Sequence, residues 1–552
     1  MKKLIWWLIV LFSLLIRVVG LEKSPATIGF DEAALGYNAY SLLKTGKDEY
    51  GYSWPLSLRS FNDYKPALYS YLSMPFIAVM GLTQASTRMV SALAGTISVI
   101  IMYFLIKRWV KDEVWVMLLW VAVSVQPWRL HFSRIAFESN VASMFFLAGV
   151  YFLMQKKRWL SLMMLTISAY TYHSARLAAP LLLLLWAMDP IKALFEKKVF
   201  LAGIRQISKN KKRFIWLVLF LFLSWPIFAS GGGKLVLTRF NQTNIFSRYY
   251  PYTPRALLVD INKPWLNWQA WPGYYFLSMV LGRVMGYVSS INLSVRQFHW
   301  VKGSPQVVAE MGMFSWWVSL LALVGLVVVL ARFKKDEKCR IIFYWLLAGI
   351  GPAAVTWNWF HPLRALTMFP AIELLFVIGA GYLLTVLSKG QKKLVLLGSI
   401  GLVMVSGIFF VNNELVYGAW LSNGEFQPGG FKDGVPRLAQ LQENYETVII
   451  NSPHAQSYIF FLFYQSFPPE IVQSYADSRP KPGVGGNLNF DFYKYKFSSV
   501  YWPEDKEMKK TLFWISSEIK EEEVLSDPNK EIEWMTSPLG YNAVGIIKDK
   551  DR

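Results

Sequence analysis

The sequence predicts an α-helical polytopic membrane protein with a small α/β domain appended after its last membrane helix. Three observations carry this. Apolar runs of roughly 17–22 residues, long enough to cross a bilayer core, recur through the first three quarters of the chain. Short basic clusters separate the runs. After about residue 412 the long runs stop, and short β-rich stretches take their place. The composition agrees, with 54% hydrophobic and 16% aromatic residues over 552 positions.

The first span is expected at 4–20. MKKLIWWLIVLFSLLIRVVGL has the basic start and apolar stretch of a signal peptide. No small-residue cleavage site closes it, so an uncleaved span is expected. Further spans are expected at 86–106, 114–129, 139–154, 159–173, 177–191, 214–230, 313–331, 341–356, 365–387 and 394–412, about eleven in all. Alternating them places KRWVK (107–111), QKKR (155–158), the stretch ending KNKKR (209–213), RFKKDEKCR (332–340) and KGQKK (389–393) on one side, together with the Met1-Lys2-Lys3 terminus. The positive-inside rule makes that side cytoplasmic. Two more apolar stretches, 67–82 and 273–292, would move later basic clusters outside if they spanned. They are read as interfacial or re-entrant helices on the outer face.

Residues 1–412 are thus expected to form a membrane domain, and 413–552 an extracytoplasmic α/β domain. ETVII, FSSVYW, TLFWIS and YNAVGIIK are its expected strands. The net charge of +21 does not argue for nucleic acid, because the cations sit in clusters between apolar runs. A single cysteine, Cys339, excludes an internal disulfide framework and a cysteine-based zinc site.

With this topology the unusual polar residues collect on the outer face. The first outer loop holds Asp31, Glu32, Asp63 and Lys65; the second holds His131, Arg134 and Glu138. The third holds Tyr170, Tyr172, His173 and Arg176. The fourth holds Arg239, Arg248, Arg296 and His299, and the fifth His361 and Arg364. Each has a plain structural alternative. Asp31 and Glu32 suit the first turn of a helix over 32–44. Arg134 and Glu138 are spaced for a local ion pair. Arg176 and Arg364 suit interfacial anchoring. The histidines lack HxxH or HxH spacing, so no metal site is indicated. Collectively, a carboxylate pair and several arginines on one face suit an anion embedded in lipid.

Sugar transfer from a polyprenyl phosphate fits that arrangement. The leaving carrier phosphate gains negative charge, which Arg and Lys stabilise more in the transition state than in the ground state. The acceptor hydroxyl needs a general base, which a carboxylate supplies. One base opposite a phosphate leaving group gives a single displacement with inversion.

The ordered pieces FDEAALGYNAYSLLKTG, DYKPALYSYL, HFSRIAFESN, TYHSARLAAP and FHPLRAL, spread over roughly residues 1–390, resemble the GT-C glycosyltransferases. The nearest branch is the bacterial proteins similar to protein O-mannosyltransferases and lipid A aminoarabinose transferases. The resemblance implies Asp31 as catalytic base with Glu32 beside it, and Lys65 and Arg134 near the carrier phosphate. It also implies carrier-phosphate contacts for Arg176 and Arg364. Asp63, Glu138, Tyr172, His173 and His361 are candidate substrate-binding residues. The implied partners are a polyprenyl-phosphate-linked sugar, an acceptor protein, lipid or glycan, and the plasma-membrane bilayer, with the site extracytoplasmic. The sequence departs from the aminoarabinose transferases at Tyr64, where they have an acid, and from the eukaryotic mannosyltransferases at Ala33 and Ala34, where a His follows Asp-Glu soon after. The only DxD is Asp549-Lys550-Asp551, in the charged last residues, so a divalent metal is not indicated. A transporter or flippase, or a polymerase of lipid-linked saccharides, is the alternative; a transporter would carry charges along a path through the bundle.

Overall fold

A computed structural model describes residues 2–61, 63–189, 211–229, 272–289, 293, 312–356, 360–417, 429–452, 454, 456–480, 488–516, 521–537 and 540–550. The fourth-loop candidates Arg239, Arg248, Arg296 and His299 lie outside the described residues.

The N-terminal part is helical. In order come α1 (Lys2–Val18), α2 (Phe30–Thr45), α3 (Leu68–Met80), α4 (Gln84–Trp109), α5 (Glu113–Ser124), α6 (Pro127–Ser133), α7 (Glu138–Met154), α8 (Arg158–Thr171) and α9 (Ala175–Met188). Then follow α10 (Lys211–Ala229), α11 (Pro272–Val288), α12 (Trp316–Arg332), α13 (Glu337–Ala354), α14 (Pro362–Ala365), α15 (Phe369–Val386) and α16 (Lys389–Asn412). Between α2 and α3 a short hairpin pairs β1 (Ser57–Ser60) with β2 (Asp63–Pro66).

Among the described residues, three helical stretches are long and apolar enough to cross a membrane: Gln84–Trp109, Pro362–Val386 and Lys389–Val416. The expected count of about eleven spans is not confirmed. Several expected spans are shorter helices, such as α5 and α9. At ~1.5 Å per residue, a 12-residue helix covers only about 18 Å of a ~30 Å core. The run expected at 114–129 breaks where Gln126 takes extended geometry and Pro127 starts α6. α16 presents Leu394, Val405 and Ile408 largely exposed, an apolar surface suited to lipid. α12 and α15 cross with backbones in contact. A Cβ on Gly379 would lie 2.1 Å from Leu321 O, and one on Gly325 1.8 Å from Leu375 O.

The C-terminal part carries a five-stranded sheet. Its order is β4 (Tyr495–Phe497), β3 (Thr447–Ile450), β5 (Thr511–Ser516), β7 (Asn542–Asp549) and β6 (Lys530–Thr536). β4, β3 and β5 are parallel, and β5, β7 and β6 antiparallel. The expected strand FSSVYW is corrected: β4 ends at Phe497, and Trp502-Pro503 begins a short helix, Pro at its second position. β6 was not anticipated; KEIEWMT has charges that a strand at the sheet edge tolerates.

The two parts share a core. Ile28, Ala33, Ala34 and Tyr37, in and just before α2, are buried in one cluster with Phe431, Val435, Phe461 and Trp514 of the C-terminal part. Tyr37 Oη donates to Phe467 O (2.9 Å). A Cβ on Gly36 would meet Thr87 Oγ1 at 2.6 Å and the Phe463 ring at 2.8 Å, so α2 is wedged between α4 and the helix Tyr458–Tyr464.

Candidate active site

The adjacent acids Asp31 and Glu32 point into different environments. In a helix, neighbouring residues project about 100° apart. Glu32 is buried beneath α2. Its Oε1 accepts from Arg88 Nε (2.9 Å) and Ala136 N (2.7 Å). Its Oε2 accepts from Arg88 Nη2 (3.1 Å) and Gly29 N (3.0 Å), the latter closing the first turn of α2. Arg88 in turn donates to the carbonyls of Leu21, Pro25 and Thr27. Asp31 stays 42% exposed, and its Oδ1 receives the Lys65 ammonium.

The hairpin delivers Lys65. β1 and β2 pair Leu58 with Lys65 and Ser60 with Asp63. His173 Nε2 meets Tyr64 O (2.9 Å), and Arg176 Nη1 meets His173 Nδ1 (3.1 Å). The segment holding His173 and Arg176 is thereby fastened to the hairpin. The charges of Asp63 and Arg176 attract one another. Glu138, buried at the start of α7, feels the charges of Lys65, Asp31 and Asp63. Tyr172 lies against His173, ring centroids 6.3 Å apart. Asp31, Asp63, Lys65, Glu138, His173 and Arg176 therefore form one polar group, with Tyr172 at its side.

Arg134 has a different task. It is fully buried and donates to the carbonyls of Ile16, Arg17, Val19 and Ser24 (2.9–3.3 Å), tying down the end of α1. A guanidinium so placed satisfies the carbonyls that a helix end leaves without partners. The expected carrier-phosphate contact does not fit that position. Arg364 and His361 belong to a second group: His361 N donates to Tyr287 Oη (2.7 Å), and Tyr287 feels the charges of Arg364 and Arg283. Arg283 is buried and donates to Thr356 O (2.7 Å). His131 Nδ1 lies 2.9 Å from Glu414 Oε1, joining α6 to the residues after α16.

Arg88, the partner of Glu32, was missed by sequence reasoning. So were the buried pairs Arg129–Glu373 and Arg479–Glu49. Arg88 and Glu373 carried a usable signal, since each is a lone charge within an expected span. Arg479 carried none. Among the described residues, no three or more His, Cys, Asp and Glu side chains gather to hold a metal.

No family model and no curated protein matches the sequence. Solved structures do match its shape. ArnT from Cupriavidus metallidurans bound to undecaprenyl phosphate aligns at TM-score 0.54 and 11% identity, over 98% of this chain and 97% of that one. The apo state of the same protein gives 0.51 and 13%, with the same coverage. The chain has the GT-C fold. The archaeal oligosaccharyltransferase AglB from Archaeoglobus fulgidus, in complex with an inhibitory peptide and a dolichol-phosphate, aligns at 0.44 and 12% identity, over 83% of this chain and 63% of that one, too distantly to carry an argument. With 98% of this chain covered, the alignment with ArnT runs through the C-terminal sheet as well as the helices.

Proposed function

We propose that the protein is an integral-membrane, inverting glycosyltransferase that takes a sugar from a polyprenyl-phosphate donor and passes it to an acceptor hydroxyl on the outer face of the plasma membrane. The observation that carries this is the Asp31–Lys65 contact: an accessible carboxylate at a helix start, against an ammonium delivered by a separate hairpin. The GT-C fold, shared with a protein solved with undecaprenyl phosphate bound, supports the lipid-linked donor.

In this reading the carrier phosphate enters beside Lys65 and Arg176 and competes with Asp31 for the ammonium. The carboxylate then turns to the acceptor hydroxyl. The hydroxyl oxygen attacks the anomeric carbon and its proton passes to Asp31. The bond from the anomeric carbon to the phosphate oxygen breaks, and its electron pair leaves with the phosphate. Lys65 and Arg176 oppose the charge that grows there. Asp63, Glu138, Tyr172 and His173 line the approach, and Arg364 and His361 form a second contact region. Glu32 acts through position, holding the start of α2 against α4. Arg134 holds the end of α1.

The test is reconstitution in vesicles with a panel of undecaprenyl-phosphate monosaccharides, including mannose and aminoarabinose, scoring which lipid-linked sugar is consumed. Asp31→Asn keeps size and loses the base, so turnover should fall by about 10²–10⁴. Wild-type turnover in Asp31→Asn, on any donor the native protein consumes, would overturn the assignment.

A further inference from the structure

The C-terminal part reaches the first outer loop through a buried joint of charge and aromatic rings. Arg479 donates to Glu49 O (3.1 Å) and to Glu49 Oε2 (3.4 Å). Its guanidinium lies 3.8 Å from the ring centroid of Tyr50 and 4.2 Å from that of Phe490. Arg59 stands over the same Tyr50 ring at 4.1 Å and donates to Pro480 O, the residue after Arg479. The paired side chains of Glu49 and Arg479 are essentially dry. Taking both charges from water costs several kcal/mol per ion, so such a joint is weak evidence of stabilisation. Its value lies in what it orients.

What it orients is the hairpin. Arg59 is a β1 residue, opposite Tyr64 and next to Leu58, whose partner is Lys65. A shift of Arg59 therefore moves Lys65. The other member of the contact, Asp31, rides on α2, which packs into the C-terminal core through Ala33, Ala34 and Tyr37. The far end of α2 is held as well: Gln473 Nε2 donates to Ser41 Oγ (3.1 Å), Thr45 Oγ1 (3.0 Å) and Asp48 O (3.0 Å). The carboxylate and the ammonium come from two separate elements, and both elements are seated on one domain.

We infer that the C-terminal domain sets the geometry of the Asp31–Lys65 site, with Arg479 and Arg59 as positioning residues that hold the hairpin in place. The domain is a working part of the phosphate site. This rests on the reading of Lys65 as a carrier-phosphate group. Misplacing a reacting group by 1 Å costs on the order of 10²-fold in rate, so a rigid mount for the hairpin matters.

The test uses the full chain in lipid nanodiscs and two readouts. One is the rate at which an amine-directed reagent modifies Lys65, followed by peptide mass spectrometry. The other is the affinity for undecaprenyl phosphate. Arg479→Met and Arg59→Met should each raise the Lys65 modification rate several-fold and weaken undecaprenyl phosphate binding by about ten-fold. In a Lys65→Ala background neither should weaken binding further, because residues that act through one another are not additive. Equal losses in both backgrounds, or an unchanged Lys65 modification rate, would overturn the positioning role. Lys65→Ala with native affinity would instead overturn the phosphate reading, while the modification rate still decides the positioning. Should Arg479→Met fail to fold, Arg59→Met carries the same test, since it leaves the Glu49–Arg479 pair in place.

Discussion

Glu32→Gln removes one charge and turns one oxygen into an amide NH₂, and the surroundings of Glu32 set the cost. Oε1 faces two donors, Arg88 Nε at 2.9 Å and Ala136 N at 2.7 Å. Oε2 faces two more, Arg88 Nη2 at 3.1 Å and Gly29 N at 3.0 Å. Either orientation of the amide sets a donor against two donors. Arg88, fully buried, keeps one bond to the amide oxygen and those to the carbonyls of Leu21, Pro25 and Thr27, but loses the other bond and its counter-charge. Breaking a buried ion pair from one side costs about 3–5 kcal/mol. That is a large share of the ~5–15 kcal/mol by which folded domains are stable. The hydrogen bonds of Glu32 join the start of α2 to α4 and to Ala136 ahead of α7, so the turn presenting Asp31 loosens first. Thermal unfolding of the purified protein in detergent, followed by tryptophan fluorescence, should show a clearly lowered midpoint for Glu32→Gln. Asp31→Asn, by contrast, should stay within about 1 kcal/mol of the native protein. Adding Arg88→Met to Glu32→Gln should restore part of the loss, because removing both charges leaves no buried ion unpaired. A Glu32→Gln protein with the native midpoint and no transfer activity would refute this reasoning and put Glu32 among the reacting groups.

Burial raises the Asp48 carboxyl from 3.8 to about 6. The folded chain therefore holds that proton over a range where the unfolded chain releases it, so this group's contribution to stability is lost as pH rises from about 4 to about 6. Asp48 Oδ1 already accepts from Tyr50 N and Tyr52 N. Asp48→Asn keeps that oxygen, removes the buried charge and should stabilise the protein by about 2–3 kcal/mol at pH 8, with no gain below pH 4; equal denaturation midpoints at pH 8 would count against it. Gly379→Ala sets a Cβ 2.1 Å from Leu321 O, a backbone atom, and should cost at least about 1–3 kcal/mol, seen as poor yield and a low midpoint, whereas Gly398→Ala, with nothing within 4 Å, should be neutral. In a Cys339→Ser background, cysteines at Lys157 and Lys335 should be protected from an impermeant thiol reagent in intact cells and a cysteine at Asp527 should react; labelling at 157 or 335 would reverse the charge-based topology.

The residues differ in how far the sequence revealed them. Asp31, Lys65 and Arg176 stood out because charges flanking apolar runs are costly and few. Arg134 stood out for the same reason, yet its guanidinium serves four backbone carbonyls. A chain near its helix ends needs cations for both purposes, and residue type alone does not separate them. Arg88 was readable in principle as a lone charge inside an apolar run. The Arg479–Glu49 joint was not, because 430 positions separate its members and neither stands in an unusual local pattern.

By itself the sequence determined the helical, membrane-suited class, the point near 412 where apolar runs give way to strands, and the resemblance that the GT-C fold bears out. The first two follow from composition and periodicity, local properties that the bilayer and the pleated sheet each select; the resemblance rests on the ordered motifs between residues 30 and 366. Tertiary structure alone decided that adjacent Asp31 and Glu32 part company, one exposed to Lys65 and the other buried on Arg88. It also decided that the C-terminal part shares its core with α2 and that Arg59 of the hairpin donates to Pro480 O. The physical reason is that burial and pairing depend on which distant segments arrive at a given face, and a single helix turn of about 100° per residue sends neighbours to different faces.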